Sequence, residues 1–483
     1  MAVGEWALDL GLDRPPDLTV VVTALAAGFA LDGVVRSGVV GIAGAAGVAL
    51  LAGALLASGR VRNPQAQALV AASVLFGGCL ALRTSPGLVA LDVAAAAGLL
   101  VAGASLAGGG SALDLSVPAV VNRGVHALAH GLAAASFLLR PLALPSGAGG
   151  PTAALAAVRG LTLALVLVVP LGLLLASADT VFASFFGGFD VGSLAQHGAL
   201  ITVGAWGMAG LLRLASARPV PPLPVPARRL PALEATVAVG ALVALFVAFA
   251  VAQLVSLTEG GRHVIETAGL TYAEYARSGF FQLLAVSAIT LAVLLGLRGV
   301  ADLSEPVARR RFVVLAQVAA GLTLVIVFVA VRRLELYEHA FGMTMLRLYA
   351  QVFALWIGSV FLMLALLLAG VGGDRHRLPS AAAALGLATV LALNALNPEA
   401  VVVRHNVEAA ARTSRFDAAY LVELSDDSVP ALVGALPRLD QDSRRLVLDA
   451  LCPASETPFR KWLAYNGARD RAAEARNQAC PAL

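Results

Sequence analysis

A chain of 483 residues that is 59% hydrophobic and 13% charged, with a mean hydropathy of +0.84, has too few polar side chains to cover a water-soluble core. The bilayer has to be its solvent, and because an unpaired backbone group in hydrocarbon costs several kcal/mol, its apolar runs must be helices or a closed barrel. Runs of about 20 apolar residues without alternation select helices. The net charge of +4 is spread over loops and Lys461 is the sole lysine, which excludes a lysine-bearing phosphate loop and a membrane Schiff base and argues against a nucleic-acid partner.

In chain order, residues 1–17 carry Glu5, Asp9, Asp13 and Asp17 against Arg14, the reverse of a cleavable signal, and read as a short cytoplasmic N-terminus. Spans are predicted near 18–35, 38–58, 65–82, 86–107, 154–176, 196–213, 232–256, 278–297, 312–331, 348–371 and 379–396. The expected fold class is therefore all-α, a polytopic transmembrane helix bundle of about eleven spans over residues 18–396. The stretch 118–138 is interrupted by Asn122, Arg123, His126 and His130 and reads as a helix lying in the interface. Gly38, Gly41, Gly44, Gly47 and Gly53 give the second span a smooth face that lets a neighbouring helix approach.

Arginine in short loops sets orientation. Arg218, Arg228 and Arg229 in one loop and Arg298, Arg309, Arg310 and Arg311 in another read as cytoplasmic, whereas 178–195 has two aspartates and no basic residue. Alternation then puts the N-terminus inside, the C-terminus outside, and Arg60, Arg62 and Arg140 inside, in a bacterial cytoplasmic membrane. The loop near 332–347 must be external despite Arg332, Arg333 and Arg347.

Residues 397–483 read as a small extracytoplasmic helical domain. Asn397-Pro398-Glu399 has the form of an N-cap, an N1 proline and an early acid, and Val429–Leu436, Ser443–Leu451 and Thr457–Asn477 have helical apolar spacing. Cys452 and Cys480 both fall here and are a candidate disulfide; two reduced thiols are the alternative.

Five phrases occur together: "LLLASADTVFASFF" at 173–186, "TYAEYARSGFFQLL" at 271–284, "LYEHAFGMTMLRLYA" at 336–350, and "NPEAVVVRHN" with "YLVELSDDSVPAL" in the tail. They resemble the bacterial membrane-protein family known as domain of unknown function 4173, over roughly residues 150–435. The resemblance implies no activity, and nothing carries over to the first four spans.

Metalloprotease, redox-dithiol, nucleophile-elbow and dinucleotide signatures are all missing from the sequence. Polar residues instead gather by depth: Asp92, Gln253, Gln282, Gln351 and Asn394 lie toward the external ends of their spans, which points to an outward-opening polar pocket. Its candidate ligand-binding residues are Glu266, Tyr272, Glu274 and Arg277 before one span, Arg332, Arg333, Glu335, Tyr337, His339 and Arg347 before another, and Asp179. Arginine forks suit phosphate or carboxylate and His339 suits proton transfer; the plainer reading is interfacial anchors and ion pairs. Asp179 as a helix cap is the plainer reading there, and His126 with His130 lacks a third ligand, so no metal and no cofactor is indicated. Asp32 with Arg36, and Asp92 with Arg83, read as compensating pairs. The leading expectation is a non-enzymatic protein of the lipid bilayer, binding an envelope ligand or protein partner outside as a sensor, scaffold or assembly factor. The alternatives are a secondary transporter and a membrane enzyme acting on a lipid-linked phosphate.

Overall fold

The computed structural model describes residues 18–143, 171, 191–217, 229–256, 280–370, 377–413, 417–452 and 462–480. The chain forms an all-α polytopic bundle; among the described residues, eight helices are long and apolar enough to cross a membrane. The bundle helices are α1 (Leu18–Ser37), α2 (Ile42–Ala57), α3 (Pro64–Cys79), α4 (Pro86–Ser105), α5 (Val117–Ala143), α6 (Val191–Ser216), α7 (Ala232–Ser256), α8 (Phe280–Val300), α9 (Pro306–Phe341), α10 (Met345–Leu368) and α11 (Leu378–Leu396). The tail follows as α12 (Pro398–Thr413), α13 (Ala418–Val422), α14 (Val429–Ala435), α15 (Gln441–Leu451) and α16 (Gly467–Ala479).

Prolines open α3, α4, α9, α11, α12 and α14 close to their first residue, where the missing N–H costs no intrahelical bond. Hydrocarbon gives no hydrophobic drive for two helices to associate, so small residues decide how closely they pack. A Cβ on Gly204 of α6 would lie 2.8 Å from the Cα of Gly28 on α1, a distance no real Cβ tolerates. Gly44 and Gly47 of α2 likewise sit tight against Val39 and Val34, while Gly53 faces open space.

Two large buried cores lie within the bundle. One joins α7–α10 through Phe246, Phe280, Phe312, Ile357 and Phe361; the other joins α1–α4 and α6 through Leu55, Val70, Leu100, Met208 and Leu212. Hydrogen bonds between loops sort the bundle into two ends. Arg60 Nε donates to Ser216 Oγ at 2.6 Å, Asn63 Nδ2 to Gly110 O at 2.8 Å, Leu230 N to Val300 O at 2.9 Å, and Arg377 pairs with Asp114 at 3.3 Å. The α2–α3, α4–α5, α6–α7, α8–α9 and α10–α11 connections therefore share one end, and the α1–α2, α3–α4, α9–α10 and α11–α12 connections share the other with the tail.

Three expectations are corrected. Helix α5 does not lie across an end of the bundle: Trp206 Nε1 donates to Gly131 O at 2.6 Å, Gly210 and Ala205 meet Gly131 and Ala134, and Arg123 reaches Ser105 O. It runs antiparallel to α6 along the bundle, with Asn122 and His130 buried, because Gly131 and Ala134 admit the indole and burial takes in the polar groups that looked interfacial. Arg140 consequently belongs to the tail end. The expected external loop at 332–347 is mostly helix: α9 is 36 residues long and only 342–344 turn. The last tail helix begins at Gly467, not near 457, because Asn466 caps it, accepting from Ala468 N at 2.8 Å; residues 457–461 lie outside the described part.

Candidate functional site

Of the predicted site residues, Asp179, Glu266, Tyr272, Glu274 and Arg277 lie outside the described residues, and of His339 only the helix position is described. The others occupy the α9–α10 corner on the tail end. Arg347 stacks over the Tyr337 ring at 4.2 Å and donates to Phe341 O at 3.3 Å and to Gly342 O, covering the carbonyl end of α9 with a cation that suits the helix dipole. Arg332 and Glu335 pair at 2.6 Å on the surface, a contact worth about 0–1 kcal/mol. Arg333 donates to Gln253 Oε1 at 3.2 Å, and Gln351 Nε2 donates to the buried Glu338 at 3.2 Å. Two of the span glutamines thus meet charged residues of α9, each answering a polar group that lipid would penalise.

A second polar cluster lies where the tail docks on the bundle, and its geometry is more closed. Asn397 alone joins α11 to α12; its φ of 54° is the left-handed conformation that asparagine tolerates, and its Oδ1 accepts from Ala400 N at 3.2 Å, so it ends one helix and caps the next. The reversal brings the tail turn Ser425–Ser428 onto the α3–α4 loop. Asp427, 2% exposed, accepts from Arg83 at 3.1 Å, from Thr84 N at 2.6 Å and from Ser85 N at 3.0 Å, while Arg83 Nε donates to Asn394 O at 2.8 Å. Arg83 therefore pairs with Asp427 and not with Asp92, whose Oδ1 instead accepts from Asn394 Nδ2 at 2.7 Å. Among the described residues, Asp92 Oδ2, Asn394 Oδ1 and Glu338 Oε1 are buried without a hydrogen-bond partner.

Asn466 fastens the far end of the tail. Fully buried, it donates to Leu80 O at 2.9 Å and Arg83 O at 3.0 Å, while Gly467 N donates to Ala81 O at 2.8 Å and Ile42 N to Tyr465 O at 3.0 Å. One continuous core, including Leu88, Leu348, Leu393, Val403, Leu421, Leu432, Val447 and Ala472, runs from the bundle into the tail. Cys452 and Cys480, at the C-terminal ends of α15 and α16, are disulfide-bonded with Cα atoms 5.8 Å apart.

Glu399 is 1% exposed and accepts from Ser425 Oγ at 2.7 Å. Burial pushes its carboxyl above the ordinary carboxylate range, against the opposing hydrogen bonds from Ser425 and Ser85. A carboxyl raised by folding contributes stability that is complete below its unfolded value of about 4.3 and is lost as pH rises through the folded value. The thermal stability of the purified protein is accordingly expected to fall as pH rises over that window, and Glu399→Gln to flatten the dependence; parallel pH profiles for the two proteins would refute this.

Away from these clusters, a cavity of about 660 Å³ lies between α1, α2, α4, α5 and α6. Its wall includes Leu31, Val34, Val48, Ala97, Leu128 and Trp206, and Leu128, Val101 and Val203 are exposed on the outer surface of the bundle. The volume falls within the ~300–1,000 Å³ of small-molecule sites. Apolar periodicity cannot announce such a space, because the same residues would equally fill a core. Asp427 and Asn466 were equally silent in sequence: each sits in a polar stretch that reads as surface, and their partners lie 344 and 386 residues away. Among the described residues, no group of three or more His, Cys, Asp and Glu is placed to hold a metal, and the His126 and His130 rings are 6.5 Å apart.

No curated protein and no solved structure matches the chain. A family model, Domain of unknown function (DUF4153), matches residues 70–435. As with the resemblance drawn from the tail and loop phrases, this is a domain of unknown function, but it is not the one numbered 4173. The match runs from within α3 to the end of α14 and takes in the Arg83–Asp427 junction, both glutamine contacts and most of the cavity wall. On that extent, the chain belongs to the family of Domain of unknown function (DUF4153).

Proposed function

We propose that this integral membrane protein is a lipid-binding protein that holds the hydrocarbon chain of an envelope lipid in the cavity between α1, α2, α4, α5 and α6. The observation that carries the reading is the chemistry of the wall: alanine, glycine, valine and leucine with one methionine and one tryptophan, beside Leu128 and Val203 exposed on the outer surface of the bundle. Such a wall offers nothing to a polar solute and gives a chain continuous dispersion contact. A transporter reading would draw on helices interrupted at mid-depth, whereas the described bundle helices are continuous. The outward polar pocket of Arg332, Arg333, Glu335, Tyr337, His339 and Arg347 keeps less support as a ligand site, because Arg347 and Arg333 are engaged with α9 and α7.

The tail is placed outside the cytoplasm in this reading. The end opposite the tail carries Arg60, Arg62, Arg298, Arg309, Arg310, Arg311 and Arg377, the excess that marks a cytoplasmic face, and a disulfide in the tail suits an oxidising compartment. The tail then acts as a lid on the outer end of the bundle, and an envelope ligand or protein partner would meet it there.

The test is lipid retention. Native mass spectra of the protein in mild detergent are expected to carry a co-purified lipid, which Ala97→Phe and Ala30→Phe displace by filling the cavity. Spectra without lipid, or retention unchanged in both variants, would overturn the reading.

A further inference from the structure

The cavity has a polar neighbour that neither the fold nor the tail junction requires. Leu31 and Val34 of α1 belong to the cavity wall, and between and beyond them on the same helix come Asp32 and Arg36. Asp32 is buried, at 5% exposure, in a stretch otherwise apolar. Its Oδ1 meets His197 Nδ1 of α6 at 2.6 Å and its Oδ2 meets Arg36 at 3.2 Å. A buried carboxylate at a lipid-facing helix pair is costly, and packing alone would be served by alanine, as it is at Ala24 and Ala27 on the same helix. Gly28, one turn before Asp32, lets α6 approach closely enough for the histidine to reach it.

What the arrangement presents outward is cationic and donating. Both carboxylate oxygens are engaged, and the buried Asp32 positions its two partners. Arg36 is 59% exposed in its side chain and spends part of its five-donor fork on Asp32. With Nδ1 directed at Asp32, His197 leaves Nε2 as the ring nitrogen that can meet a ligand, and its side chain is 27% exposed. A guanidinium fork beside an imidazole matches a phosphate: its oxygens accept from Arg36, and a phosphate hydroxyl can donate to Nε2 of His197. Val39, three residues past Arg36 in the α1–α2 connection, also belongs to the cavity wall, so a headgroup at Arg36 and a chain against Val39 fit one amphipathic molecule.

We propose that Arg36 and His197, positioned by Asp32, bind the phosphate headgroup of a lipid whose hydrocarbon chain lies in the adjoining cavity. The proposal rests on the lipid-chain reading above and adds the headgroup class to it. Asp32 and Arg36 lie before residue 70, outside the segment matched by the family, whereas His197 lies within it.

Trp206 in the cavity wall is a built-in reporter. With Trp6, Trp356 and Trp462 replaced by phenylalanine, the protein is titrated in maltoside micelles with two lipids brominated in their chains, phosphatidic acid and diacylglycerol. Phosphatidic acid is expected to quench Trp206 at about ten-fold lower concentration, the size of one charge-assisted contact. Arg36→Ala should bring the two curves together, and Arg36→Lys should restore part of the difference, which a merely structural arginine would not do. Millimolar inorganic phosphate should leave the quenching in place; displacement by it would overturn the lipid assignment in favour of a free-phosphate site. If both lipids quench alike in the parent protein, the headgroup proposal fails while the chain reading stands. If neither quenches, both fail.

Discussion

Replacing Asp427 by alanine is expected to loosen the whole tail. Asp427 is 2% exposed and holds Arg83, whose side chain is 13% exposed, together with two backbone N–H groups of the α3–α4 loop. Removing one partner leaves a buried guanidinium uncompensated and two amide donors unmet, which for buried pairs costs about 3–5 kcal/mol. Asp427→Asn keeps an oxygen for Thr84 N or Ser85 N and should cost less than alanine, while Arg83→Ala should match Asp427→Ala, and the double variant should add little to either. The measurement is hydrogen exchange across residues 398–480 in detergent or nanodiscs, with thermal unfolding alongside. Protection in α12–α16 that stays at the parent level in Asp427→Ala would show that the tail is held by its apolar core alone.

Opening the disulfide should have an effect of similar size. Cys452 and Cys480 are 28 residues apart, and in the chain-entropy account closing such a loop stabilises by roughly 3 to 4 kcal/mol. The bond ties the C-terminal ends of α15 and α16, and Asn466 anchors the N-terminal end of α16 to the α3–α4 loop, so α16 is held at both ends. Cys452→Ser or Cys480→Ser is expected to lower the unfolding temperature and to release α16 first, with exchange rising at 467–479 before it rises in α12. Mass analysis of protein alkylated at harvest should find both thiols blocked. Two alkylated thiols would remove the disulfide and with it one of the two supports for an external tail.

Membrane class, helical type and most of the helix positions followed from the sequence itself, because hydrocarbon leaves the backbone only one local way to satisfy its groups and a run of about 20 apolar residues carries that signal within itself. The pairing of Cys452 with Cys480 was among the two options the tail left open. Tertiary structure alone decided the rest. Asp92 turned from Arg83 to Asn394, and Arg83 to Asp427, because Asn397 folds the tail back onto the bundle and brings together residues more than 300 positions apart. Helix α5 looked interfacial since its asparagine and histidines break an apolar run, yet Gly131 and Ala134 let it lie against α6, where neighbours take up that polarity. The cavity, and the meeting of His197 with Asp32 beside it, depend on how five helices fail to fill the space between them, a property of packing that no single stretch of sequence contains.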